Sequence, residues 1–217
     1  MRKIIYTLIA ISFTNLFFGQ VQTYHDTQGK LEVTNSGQAT YTLPIALPPS
    51  IQDVGPTINL IYASGQMGGA AGQGWNISGI STINRVASRR DIDGFIDGVD
   101  FDDNDKLALD GQRLLLKTGT YMVTGSTYET EIQSNTKIEL IGNPSSLEFI
   151  VTTADGSRSW YHGVKGCSDC YGYHLNMTFY IYKYEDANGN IIEYKYNPTG
   201  YNDYATNQYI REIYFSK

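Results

Sequence analysis

The 217-residue chain has a formal net charge of −6, with 41% hydrophobic residues, 18 Tyr and 22 Gly. An acidic chain is a poor partner for nucleic acid or an anionic membrane, both of which select basic surfaces. The length allows one or two small domains, and abundant tyrosine punctuated by glycine favours sheet over helix.

The N-terminus reads as a targeting segment. Met1-Arg2-Lys3 is a charged start, and Ile4 to Phe18 is an apolar stretch interrupted by Ser12, Thr14 and Asn15. It is shorter than the roughly 20 apolar residues of a membrane span. Residues 1–19 are therefore expected to direct export, and the chain is expected outside the cell or at its surface. Residues 20–38 form a polar lead-in with one short strand, Lys30-Leu31-Glu32-Val33, and residues 39–217 form the β domain.

Alternation at Tyr41, Leu43 and Ile45 predicts a strand. Pro44 suggests that it lies at a sheet edge, and Pro48-Pro49 ends it. The stretch from Pro56 to Arg85 then reads as strand, glycine loop, strand. Its loop carries Gly65, Gly68, Gly69, Gly72 and Gly74, and Trp75 stands at the exit as the expected packing anchor, with Ile77, Ile80 and Ile83 as apolar neighbours. GGAAGQG lacks the Lys-Ser/Thr of a phosphate-binding loop, and no helical period follows it.

These segments carry a family resemblance. YTLPIALPP at residues 41–49, P-x-I-x-L-x-Y-x-S at 56–64, G-x-G-W at 72–75 and S-G-I-S-x-I-x-R at 78–85 resemble the SpvB-type N-terminal domain. That domain begins plasmid virulence protein B and the B components of insecticidal toxin complexes. DKLALDGQRL at residues 105–114 resembles a further segment of the same family. The glycine loop departs from the family pattern in length and in carrying Met67 and an Ala pair. The resemblance implies a non-catalytic, structural part of a shell that encloses or docks a toxic segment, with other parts of an Rhs-like or toxin-complex assembly as partners and no cofactor. Its architectural residues would be Pro44, Pro48, Pro49, Gly72, Gly74, Trp75, Arg85, Gly111, Gln112 and Arg113.

Between these motifs, residues 89–105 are dense in aspartate. A set of Asp-Gly turns is the favoured reading, while oxygen ligands at this density could also hold calcium, although the spacing misses the EF-hand pattern. Short strands separated by turn signals follow, at 107–109, 113–117, 121–123, 128–132, 136–141 and 147–152. They predict an all-β fold of antiparallel strands, a sheet or sandwich-like wall. Glu129-Thr130-Glu131 is an E-x-E, the pattern used by the ADP-ribosyltransferase that full-length plasmid virulence protein B carries elsewhere. Here it lies in an alternating strand without the accompanying Arg and Ser-Thr-Ser elements, so both carboxylates are read as facing solvent.

His162, Cys167, Cys170 and His174 crowd one short stretch. Export favours a Cys167–Cys170 disulfide, while two Cys and two His are also a tetrahedral zinc set. Residues 178–184 and 191–196 flank an Asn-Gly turn and predict a tyrosine-rich hairpin. Its D-x-N-G-N-x-I-x-Y-x-Y resembles the tyrosine-aspartate repeats of Rhs proteins. One more alternating strand, 209–215, comes before the end. The competing class is a cell-surface binding module for glycan or protein that uses exposed aromatics; a nucleophile–base constellation for an enzyme is missing.

Mass spectrometry of the exported protein is expected to show Cys167 joined to Cys170. Recovery of about one zinc per chain, lost on Cys167→Ser, would assign the pair to metal instead.

Overall fold

The computed structural model describes residues 28–69, 71–100, 102, 104–143, 146–163, 178–197 and 210–215. Cys167, Cys170, His174 and residues 1–19, expected as a targeting segment, lie outside the described residues. Those described form fourteen strands in two sheets, with one helical turn at Arg90–Asp93 and one 3-10 turn at Ile51–Asp53. The expected all-β, antiparallel class is what the chain adopts.

The first sheet is a four-stranded meander of β1 (Lys30–Val33), β2 (Ala39–Pro44), β3 (Asn59–Ala63) and β4 (Trp75–Ser78). Register makes it two-faced, because alternate residues point to opposite sides. Leu31, Tyr41, Tyr62 and Trp75 stand in one cross-strand row, and Leu43, Leu60 and Ile77 form the next row on the same side. Thr42 and Thr40 on β2 face the other way, opposite Lys30 and Glu32. β2 lies between β1 and β3, so it is not the edge strand that Pro44 suggested. Pro44 is tolerated because it pairs with Asn59 of β3 at a level that β1, ending its pairing at Thr42, does not reach.

A three-residue break at positions 79–81 divides the two sheets. Gly79 has φ 94°, and a Cβ there would overlap the carbonyl of Thr57. The segment expected to run as one strand through Ile77, Ile80 and Ile83 therefore breaks, and Thr82 begins a new sheet.

That second sheet closes on itself. β5 (Thr82–Val86), β6 (Lys106–Leu109), β7 (Gln112–Thr118), β8 (Thr127–Thr130), β9 (Lys137–Asn143), β10 (Ser146–Thr152), β11 (Arg158–Gly163) and β12 (Thr178–Glu185) pair in chain order. β12 then returns to β5 through Thr178↔Asn84, Phe179↔Ile83 and Tyr180↔Thr82, which completes an eight-stranded antiparallel barrel. The other half of that same edge of β12 pairs with β13 (Ile191–Tyr196), which in turn pairs with β14 (Ile210–Tyr214). The predicted tyrosine hairpin is thus a ribbon extending from the barrel wall.

Inward residues fill the barrel: Ile83, Leu107, Leu114, Ile138, Leu140 and Val151 surround a run of aromatic rings. Tyr121, Tyr128, Phe149 and Phe179 follow one another at centroid separations of 5.3, 6.0 and 4.9 Å. Tyr121-Met122-Val123, expected as a strand, is a turn with Met122 at φ 59°. Its β-favouring side chains serve the barrel instead. The Tyr121 hydroxyl accepts from Leu107 N at 2.7 Å, and the Tyr128 hydroxyl accepts from Met122 N and Ser126 Oγ. β11 and the helical turn are further departures from the expected strand set.

Phe149→Ala removes a fully buried ring from the middle of this run and is expected to destabilise the chain by about 3–5 kcal/mol in urea titrations. Met67→Ala, at an exposed loop position, is expected to stay within about 0.5 kcal/mol of the parent.

Candidate functional site

Of the motif residues, Arg85, Gly111, Gln112 and Arg113 lie on the run of neighbouring strands from β5 to β7. Asp110 and Gly111, at φ 48° and 83°, form the two-residue turn joining β6 to β7, the left-handed pair that such a hairpin requires. Asp110 also reaches back across the sheet. Its carboxylate accepts from Ser81 Oγ at 2.6 Å and Thr82 N at 2.9 Å, and its own N–H donates to the Thr82 carbonyl. Ser81 Oγ lies 2.8 Å from the Tyr161 hydroxyl, which ties β5 to β11. Burial holds that phenol at a pKa of about 12.

Two arginines hold the excursion between β5 and β6. Arg85 on β5 donates to Asp105 Oδ2 at 2.9 Å and to the Asp102 carbonyl at 3.2 Å. Arg113 on β7 donates to the Ala87 carbonyl at 2.9 Å and pairs with Asp93. The partners are nearly or wholly buried: Asp105 has no exposed side chain, and Arg113 is 6% exposed. Asp93 Oδ2 also accepts from Arg89 N, while Ser88 bridges to Asp97 and donates from Oγ to the Asn104 carbonyl. Removing one member of a buried pair strands the other charge, so these contacts bind both ends of the 87–105 segment to the wall. Gln112 is exposed beside the turn, opposite Leu109.

The aspartates of this segment have separate roles. Asp93 and Asp105 are ion-pair partners, which the sequence did not single out, although Arg85 and Arg113 in the motifs marked the other halves. Gly94, at φ 81°, ends the helical turn as an Asp-Gly reading expects. Carboxylate oxygens of Asp97, Asp100 and Asp102 lie within 4.8 Å of one another. Desolvation, then the charges of Asp102, Asp97 and Asp105, raise the Asp100 pKa. A carboxyl raised in the folded state binds its proton more readily there, so the strain among these charges is relieved as pH falls.

The glycine loop places Trp75 on the first sheet. Gly72 O accepts from Trp75 N, Gly74 O accepts from Ala63 N, and a Cβ at Gly69 would overlap the Trp75 carbonyl. The indole is half-buried, 5.2 Å from Tyr62 and 6.4 Å from Tyr41. Ile83 lies in the barrel core and Ile80 packs against it, so neither is the neighbour of Trp75 that the sequence suggested. Pro48 and Pro49 are exposed beyond β2.

The E-x-E carboxylates line an open groove of about 780 Å³ on the outer wall. Glu129 pairs with Lys117 at 3.3 Å and Glu131 with Arg89 at 3.3 Å. His162, at the end of β11, stacks on Tyr182 at 4.8 Å, and its pKa is lowered by burial against a smaller opposing pull from Glu148. Among the described residues no helix is long and apolar enough to cross a membrane, which says nothing about strands.

A closed barrel with a two-faced sheet before it and a ribbon after it defines an all-β module whose motif residues secure backbone. The family model described as Salmonella virulence plasmid 65kDa B protein, SpvB, matches residues 33–217, and the chain belongs to that family. No curated protein matches it. The fold is shared with the crystal structure of TcdB2-TccC3, at TM-score 0.67 and 17% identity over 87% of this chain and 10% of that one. It is shared with the Photorhabdus luminescens Tc holotoxin pore, at TM-score 0.64 and 17% identity over 88% and 10%. The N-terminal domain of effector protein SpvB from Salmonella typhimurium strain LT2 is similar at TM-score 0.54 and 16% identity over 80% and 64%. The chain spans about a tenth of the length of the first two.

Arg113→Met is expected to cost about 3–5 kcal/mol, because Asp93 is left charged without its partner. Hydrogen exchange should show amides of residues 87–105 losing protection before those of β9 and β10. Equal loss throughout would mean that the segment is not separately held.

Proposed function

We propose that the chain is a non-catalytic, wall-building part of an exported toxin-complex or Rhs-like protein, enclosing or docking a toxic segment supplied by other sequence. Family membership and the fold common to Tc assemblies support a structural part of a toxin complex. The observation that carries the finer reading is the fate of the tyrosines. Tyr128, Tyr161, Tyr180 and Tyr194 are all buried, and Tyr180 packs on Tyr196 of the ribbon at 5.1 Å. Aromatics used this way make wall, not a platform for a ligand. The ribbon β12–β13, with its Asn-Gly turn, has the strand pairing expected of one Rhs-type hairpin, and in this reading it begins the rest of the shell. Pro44, Gly72, Gly74, Trp75, Arg85, Gly111 and Arg113 then act by shaping that wall. A targeting role for residues 1–19 and a Cys167–Cys170 bond belong to the same proposal.

A surface-binding role finds its support in Tyr41, Tyr62 and Trp75, which are half-exposed. Their rings cross at 81° and 49°, however, and do not offer the coplanar faces on which a sugar stacks.

Electron microscopy of the product of the natural reading frame, together with reading whether that frame continues past Lys217, tests the proposal. A hollow particle and a run of tyrosine-aspartate repeats are expected. NAD-dependent transferase activity abolished by Glu131→Gln, or glycan binding abolished by Trp75→Ala with stability unchanged, would overturn it.

A further inference from the structure

A cavity of about 290 Å³ opens where the connection between β2 and β3 meets the ribbon. Pro56, Thr57 and Gly79 form one side of it, with Gly79 set so close to Thr57 that a Cβ would overlap its carbonyl. Tyr184, Ile192 and Tyr194 form the other. Small-molecule sites favour such junctions between packed units, and this volume is at the small end of their range. The two sides are tied together beside the cavity, where Gln52 Oε1 accepts from Asn190 Nδ2 at 3.0 Å.

Two polar side chains on this lining, Tyr194 and Asp53, lack a hydrogen-bond partner among the described residues. Tyr194 is 8% exposed and its ring belongs to the core, yet its hydroxyl makes no hydrogen bond. Neighbouring phenols are satisfied, Tyr161 by Ser81 and Tyr196 by the Ile181 carbonyl. A buried hydroxyl left without a partner marks a place for a group from outside the protein. Burial, then the charge of Tyr184, pushes the Tyr194 pKa up to about 12, so the phenol keeps a hydrogen to donate. Asp53 is the one charged residue on the lining; it is exposed and makes neither a salt bridge nor a side-chain hydrogen bond.

We propose that this cavity binds a small organic cation, an alkylammonium that carries an oxygen a few atoms from its nitrogen, as choline does. The ammonium pairs with the Asp53 carboxylate, and no cationic side chain on the lining competes for it. The carbons of the ligand meet Ile192 and Pro56, and its oxygen accepts from the Tyr194 hydroxyl. Asp53 and the overall charge of −6 turn anions away. This inference stands on the cavity alone and does not depend on the shell reading.

Isothermal titration of the full chain with choline chloride is the test. Saturable binding that weakens with added salt is expected. Asp53 sits at φ 60°, a region that Asn also tolerates, so Asp53→Asn removes the charge without disturbing the backbone and should weaken binding about tenfold. Tyr194→Phe removes only the oxygen. It should weaken choline binding about fivefold and leave tetramethylammonium, which has no oxygen to meet it, unchanged. Because that hydroxyl has no partner in the described protein, the Phe variant should melt no lower than the parent. Phosphatidylcholine vesicles separate the two sources of the ammonium, and either result supports the site: cosedimentation lost in both variants makes it a lipid headgroup, and vesicles that leave the chain in solution while choline binds make it a free solute. Absence of choline binding, binding that survives both substitutions, or equal binding of neohexyl alcohol, which is choline with carbon in place of nitrogen, overturns the inference. So does a Phe variant that melts below the parent, since the hydroxyl would then have a partner within the chain.

Discussion

The barrel depends on a seam of three residue pairs. Phe179 meets Ile83, with Thr178 opposite Asn84 and Tyr180 opposite Thr82, and Thr178 Oγ1 donates to Asn84 Oδ1 at 2.7 Å. Without it, β5 and β12 are edges with unpaired backbone groups, and the aromatic run opens to water. With it, every interior strand of the second sheet has two neighbours, and Ile83 and Phe179 are wholly buried at the join. The short seam is reinforced from outside: Asp110 fastens the start of β5, and Tyr161 fastens β11 to Ser81. Two of the family motifs, at residues 78–85 and 105–114, lie beside this seam for a physical reason, since they carry contacts that hold β5 in place to receive β12.

The two arginines solve a related problem. The 87–105 excursion is long, acidic and partly apolar, and it cannot bury enough surface to hold itself. Asp93 and Asp105 are placed where the barrel presents Arg113 and Arg85, and each pair also carries a backbone carbonyl. The charges inside the segment are thus divided between those that anchor it and those, Asp97, Asp100 and Asp102, that remain near the surface.

Much of the strand content was legible from sequence because alternation and turn residues act locally. β6, β7, β9, β10, β12 and β13 follow apolar or aromatic alternation bounded by Gly, Asn or Asp. The closure was not legible, since its partners are 94 residues apart and each side reads as an ordinary strand. Tyr121-Met122-Val123 misled because propensity describes a pleated surface, whereas these side chains meet the barrel end from a turn. Gly79 was hidden in a run of isoleucines that belong to two sheets. Arg85 and Arg113 stood out in the motifs, but their partners were lost among many aspartates, because pairing depends on where the excursion returns. Trp75 was found as an anchor of the glycine loop, yet its neighbours are cross-strand tyrosines that only register identifies.

The break at Gly79 has an optical consequence. It separates the only two tryptophans in the chain, leaving Trp75 on the open sheet and Trp160 on the barrel wall beneath Lys183 and Arg158. Each unit therefore contains its own intrinsic fluorophore in a different setting, one bordered by tyrosine rings that can pass excitation to it, the other by cationic side chains. Emission from single-tryptophan forms reports the two units separately, and the lag between their signals measures how tightly the small open sheet is coupled to the closed barrel.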